Sequence, residues 1–146
     1  MERRKISCLA RPVVLIFSSV MAKQVDGMFR AFADVTRLRI LHLLARKNLS
    51  VCEIMATMRV PQSKVSRHLA YLRGTGLVTC RKQGQWRLYV LAKPTTRFQA
   101  RAIHCLKDCF DEVAVLRRDL DRLKVVGPMC AARKARLAAA QKKKGL

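Results

Sequence analysis

At 146 residues the chain is long enough for one domain with a real core and too short for two, and a hydrophobic share of 51% rules out disorder throughout. The 31 Lys and Arg against 9 Asp and Glu give a formal charge of +22, which points to a polyanionic partner because each neutralised phosphate releases condensed counterions. The chain carries no Gly-rich phosphate loop, paired catalytic carboxylates or zinc-hydrolase motif, so an enzyme is not expected.

Residues 1–23 hold five basic residues and one acid, and residues 124–146 hold seven basic residues and no acid. That leaves 19 basic and 8 acidic residues between them, so the central segment is itself basic. The apolar run 13–20 is broken by Ser18 and Ser19 and is too short to span a bilayer, which takes about 20 apolar residues. Residues 1–23 therefore read as a disordered basic extension, with Met21 an alternative start. Without an adequate secretion signal, the six cysteines are expected to be free thiols in a reduced, cytoplasmic protein with no membrane contact.

From residue 24 the pattern is helical, with Val25, Met28, Phe29 and Phe32 spaced by three and four. Asp34 and Thr36 offer N-cap chemistry for a second helix carrying Leu38, Ile40, Leu41, Leu43 and Leu44. Asn48, Leu49 and Ser50 break it, and 51–58 forms a short helix with Val51, Ile54 and Met55 inward. Pro61, tolerated only in a first turn, opens the next helix, which runs to about Thr75. Its buried stripe is Val65, Leu69 and Leu72; Gln62, Ser63, Lys64, Ser66, Arg67 and His68 face outward.

Gly74 and Gly76 stop that helix, and two strands, 77–81 and 86–91, follow around a Gln83-Gly84-Gln85 turn. After Pro94 a single helix is expected over 98–123, with Ala102, Leu106, Cys109, Val113, Leu116, Leu120 and Leu123 at alternating steps of four and three. So narrow a seam calls for a partner helix, and a second copy of the chain is the simplest one. The fold expected is mainly α with a small β-hairpin, a winged helix-turn-helix over residues 24–124 that dimerises through its long C-terminal helix. Residues 125–146 then form a frayed or disordered basic tail.

A helix that reads DNA presents short polar and basic side chains on its N-terminal face, toward base edges and phosphates in the major groove. Gln62, Ser63, Lys64, Ser66, Arg67 and His68 supply them, and Arg81, Lys82 and Arg87 surround the hairpin tip as a wing. The partner expected on these grounds is double-stranded operator DNA.

Four blocks in order, 29–41, 51–54, 62–69 and 81–89, resemble the ArsR/SmtB family of metal-responsive repressors, its arsenic-responsive branch most of all. The resemblance covers about residues 24–124 and implies a homodimeric winged-helix repressor that leaves its operator when a metal or metalloid binds, controlling resistance or efflux genes. The arsenic branch carries two cysteines separated by one residue at the start of the helix before the recognition helix. Here that place reads Ser50-Val51-Cys52, so half the pair is absent.

Other thiols therefore enter. Cys105 and Cys109 are four apart on one helix face and can share an ion. Soft thiolates favour As(III) or Sb(III), with Cd(II) or Zn(II) as alternatives, and no organic cofactor is implied. As(III) takes two or three thiolates, and the third is either Cys130, reaching back past Gly127-Pro128-Met129, or Cys52. His104 and Asp108 could join a zinc or cadmium site. Two rival functions remain: a thiol redox regulator with the same DNA surface, and a general basic nucleic-acid-binding protein.

Overall fold

The computed structural model describes residues 11–144, with side-chain burial described for 19–140. Cys8 and the rest of residues 1–10 lie outside the described residues. The first helix, α1 (Arg11–Phe32), begins well before residue 24, so most of the extension expected to be disordered is helical. Between Pro12 and Gly27 the sequence holds no helix breaker. There helix and neighbour approach closely: a Cβ on Gly27 would stand 3.3 Å from Thr75 Cγ2. Met28 and Ala31 anchor α1 in the core.

Asp34 caps α2 (Val35–Arg46), its carboxylate accepting from the Arg37 N–H at 2.9 Å. This cap fixes the start of the most buried helix, in which Ile40, Leu41, His42, Leu43 and Leu44 are all enclosed. The break after α2 holds a two-residue strand, β1 (Leu49–Ser50), which the sequence pattern did not reveal. It leads into α3 (Val51–Met58), where Ser50 donates from N–H and Oγ–H to Glu53 at 2.8 and 2.6 Å. Arg59 adopts a left-handed conformation (φ 56°) and Val60 N–H returns to the Met55 carbonyl, closing a three-residue turn into α4 (Gln62–Gly74). In α4 the expected stripe of Val65, Leu69 and Leu72 is buried.

The wing is β2 (Val78–Gln83) against β3 (Trp86–Leu91), joined by Gly84 and Gln85 with Gln83 facing Trp86. Gly84 has φ +59°, which a residue with a Cβ adopts only at a cost. β1 pairs with β3 on its other edge, giving an antiparallel sheet of order β1-β3-β2.

The single helix expected over 98–123 is two helices, α5 (Arg97–Asp108) and α6 (Ala114–Lys144). The elbow between them is pinned by α2. Arg46 Nη2 donates to the Lys107 carbonyl at 2.6 Å and to both Asp111 oxygens at 2.7 and 2.8 Å, and His42 Nε2 lies 3.3 Å from Asp111. Phe110, inside the elbow, packs on the core. The seam is consequently split: Leu106, Leu116 and Leu123 are buried within this chain, Cys109 is exposed, and Val113 is 41% exposed. Leu106 and Leu123 of that spacing serve the chain's own core, with Ala102 and Leu120 packed against it.

The region from residue 125, expected to be a frayed tail, is helical through Lys144, with Pro128 inside it. Tertiary contacts hold it. Lys134 Nζ donates to Glu53 Oε2 at 2.7 Å and stands 5.7 Å from the centre of the Trp86 ring, tying α6 to α3 and to the wing. Among the described residues no helix is long and apolar enough to cross a membrane.

Candidate nucleic-acid interface and thiol pairs

α4 presents Gln62, Ser63, Lys64, Ser66 and Arg67 to solvent at its N-terminal half, because Val65 and Leu69 turn the opposite face into the core. His68 departs from the expected set. Its side chain is only 14% exposed and its Nδ1 lies 3.7 Å from Asp34. Burial pushes its pKa below the usual histidine value, reinforced by Arg37, Lys64 and Arg67 and opposed by Asp34. His68 is thus a buttress between α4 and the start of α2, off the exposed reading face. Its position, three after Val65 and one before Leu69, places it beside the buried stripe.

On the wing, Arg81, Lys82 and Arg87 are exposed, and Lys82 lies directly across the ladder from Arg87. Like charges in facing positions repel. None of these three, nor Lys64 or Arg67, forms an ion pair with a carboxylate of the described residues. The helix face and the wing therefore form an uncompensated positive surface suited to phosphate. Arg37, which the sequence pattern gave no reason to single out, braces this surface from behind: it donates to the Arg30 carbonyl at 2.7 Å and stacks 4.2 Å over the Tyr71 ring.

The candidate ligand cysteines fall into two pairs. Cys105, half-buried on α5, and Cys109, the exposed C-cap of that helix, stand one turn apart, the Cys109 N–H donating to the Cys105 carbonyl at 2.9 Å. The neighbouring Cys105 thiol pushes the Cys109 thiol upward. Cys52, exposed near the start of α3, and Cys130, half-buried on α6, line one cavity of about 130 Å³ with Trp86, Arg133, Lys134 and Leu137. Burial raises the Cys130 thiol, helped by Glu53 and Cys52. The expected third ligand is accordingly not with Cys105 and Cys109: α6 carries Cys130 to Cys52 instead. No group of three or more His, Cys, Asp or Glu converges among the described residues, and His104 is engaged with Asp108 at 2.6 Å.

A helix-turn-helix backed by core helices, with a two-stranded wing and an unpaired positive reading face, defines a winged-helix DNA-binding protein. The description "Bacterial regulatory protein, arsR family" matches residues 34–79, which hold α2, α3 and α4. The arsenical resistance operon repressor of Escherichia coli K12 is 39% identical over 97 residues, covering 65% of this chain and 83% of that protein. Among solved structures, HlyU from Vibrio cholerae N16961 is 34% identical with a TM-score of 0.51, over 60% of this chain and 95% of that one. The homodimeric winged helix-turn-helix DNA-binding domain of Mb0332 from Mycobacterium bovis, described as a possible ArsR-family transcriptional regulator, is 28% identical with a TM-score of 0.55, over 65% and 85%. The chain belongs to the ArsR family and is a DNA-binding transcriptional regulator, not an enzyme.

Proposed function

We propose that the protein is a homodimeric repressor that leaves its operator when a thiophilic metal or metalloid binds, As(III) being the best match, and so controls resistance or efflux genes. The observation that carries the effector reading is the placement of Cys105 and Cys109 one helical turn apart at the α5–α6 elbow, the second of them as the exposed C-cap of α5. Two adjacent thiolates suit As(III) or Sb(III). Zn(II) and Cd(II) are less well served, since a tetrahedral site needs two more ligands and no His or carboxylate converges on either pair among the described residues.

The elbow is joined to the reading surface through α2. Arg46 and His42 hold Asp111 from one side of α2, while Asp34 at its N-cap faces His68 on α4. Ligation at the elbow would shift this strut and move the two recognition helices off major grooves spaced about 34 Å apart. A coupling of ~1–3 kcal/mol corresponds to a 5- to 150-fold loss of operator affinity. For the second copy, the face formed by α1 and α5 is suited: Phe29 and Phe98 are 59% and 40% exposed with ring centres 5.6 Å apart, an apolar patch of the kind interfaces cover.

The test is operator anisotropy titrated with arsenite, antimonite, cadmium, zinc and peroxide. Arsenite should release wild type and leave Cys105→Ser/Cys109→Ser bound; release of that double variant at the wild-type concentration sinks the assignment. Cys52→Ser/Cys130→Ser examines the second pair in the same assay. Release by peroxide without metal would favour the redox reading. Equal affinity for unrelated duplex would favour a general basic nucleic-acid binder.

A further inference from the structure

We propose that the basic end of α6, from Arg133 to Lys144, is a second phosphate-binding element that lies along the DNA backbone beside the wing. It rests on the assignment of α4 and the wing as the DNA surface and extends that surface beyond the winged-helix unit.

Three observations converge. The first is position. Trp86 is paired with Gln83 at the very end of the hairpin, next to the Gly84-Gln85 turn. Lys134 stands over its ring, and Leu137 lines the same cavity. α6 runs past α2, where Asp119 meets Arg39, then past α3, where Lys134 meets Glu53, and reaches the wing tip at Leu137. The helix continues to Lys144, ten residues beyond Lys134, which at 1.5 Å per residue is about 15 Å past the wing contact.

The second is charge. After Asp121 the chain carries no acidic residue, while it has Arg122, Lys124, Arg133, Lys134, Arg136, Lys142, Lys143 and Lys144. The acid that meets this segment, Glu53, is already taken by Lys134. The third is arrangement. At 100° per residue, positions 133 and 136 fall within about 60° of arc, flanking the face that carries Cys130, Lys134 and Leu137 toward α3 and the wing. A helix held on α3 and touching the wing where Lys134 stands over Trp86, with Arg133 and Arg136 beside that contact, continues the positive surface of Arg81, Lys82 and Arg87. Its occupant is the sugar-phosphate backbone of double-stranded DNA, bound without regard to sequence.

Such contacts add about 0.9 each to the slope of log K against log salt. The experiment compares wild type, Arg136→Gln/Lys142→Gln/Lys143→Gln/Lys144→Gln, and a chain ending at Gln141, on operator and on unrelated duplex between 50 and 300 mM salt. Trp86, the single tryptophan, reports by its emission whether α6 is still docked. The quadruple variant should show a salt slope shallower by roughly 2 to 4 for each protomer on the DNA and about tenfold or greater weakening on both duplexes at low salt. The shortened chain should show most of that change, with Trp86 emission unaltered in both. Wild-type affinity and slope in the variants, with α6 docked, overturns the proposal. So does weakening confined to the operator, which would make the segment a base reader. Failure of wild type to bind any duplex would instead overturn the DNA assignment of α4 and the wing.

Discussion

Arg39 and Asp119 form a two-pronged ion pair across 80 residues of sequence, Nε to Oδ2 at 2.6 Å and Nη2 to Oδ1 at 2.8 Å, with the Asp119 side chain 1% exposed. The same guanidinium reaches the Met58 carbonyl at 3.1 Å, so one side chain of α2 ties down both α6 and the end of α3. Removing one member leaves an enclosed charge unanswered. Asp119→Ala should therefore cost about 3–5 kcal/mol, whereas Arg39→Met/Asp119→Leu should recover a large part of that loss. Equilibrium urea unfolding of both variants checks the pattern; equal destabilisation would contradict it.

The exposed face of α4 predicts a split among its own variants. Arg67→Ala and Gln62→Ala should lose about 1–3 kcal/mol on operator and relax the preference for it over other sequences, as expected for base-edge contacts. Lys64→Ala should weaken all duplexes alike and flatten the salt dependence. His68→Asn should leave sequence preference intact and act on stability, because its ring lies against Asp34. Competition binding with operator variants separates these outcomes.

Acid should loosen the fold through α2. His42 is fully enclosed, and burial holds its pKa below the ordinary 6.5 in spite of Asp111, with Nδ1 left without a hydrogen-bond partner. A histidine depressed in the folded state gains its proton first in the unfolded chain, so its contribution is complete above pH 6.5 and declines as the pH falls through that value. His68 acts in the same direction. Urea midpoints should fall between pH 7.5 and 5.5, each histidine adding at most about 1.4 kcal/mol per pH unit, and His42→Met should show a weaker fall. A pH-independent midpoint in wild type would falsify this.

At the wing tip, Gly84→Val should strain the turn by about 1–3 kcal/mol, since φ +59° suits a residue without a Cβ. The expected result is reduced operator affinity with a stability loss no larger than that strain, because the tip is exposed and its neighbours do not belong to the core. Circular dichroism melting alongside anisotropy tests both halves of that statement.

Local periodicity determined much of this protein. The Val65, Leu69 and Leu72 stripe, the Asp34 cap, the start of α4 after Pro61 and the Gly84 turn are each set by residues a few positions apart, so helix-turn-helix and wing are legible without coordinates. The four blocks of residues carried the family as well. Distances across the chain were not legible. The steps of three and four from Ala102 to Leu123 record that those positions are apolar and not what covers them, and only the fold shows α2 pinning an elbow through Arg46 and Asp111 and drawing Leu106 and Leu123 into its own core. The basic segment after Val126 looks like a solvated tail until Lys134 meets Glu53 and Trp86. The thiols divide the same way: spacing paired Cys105 with Cys109, but the placing of Cys130 beside Cys52 depends on α6 docking on α3, a contact between side chains about 80 positions apart.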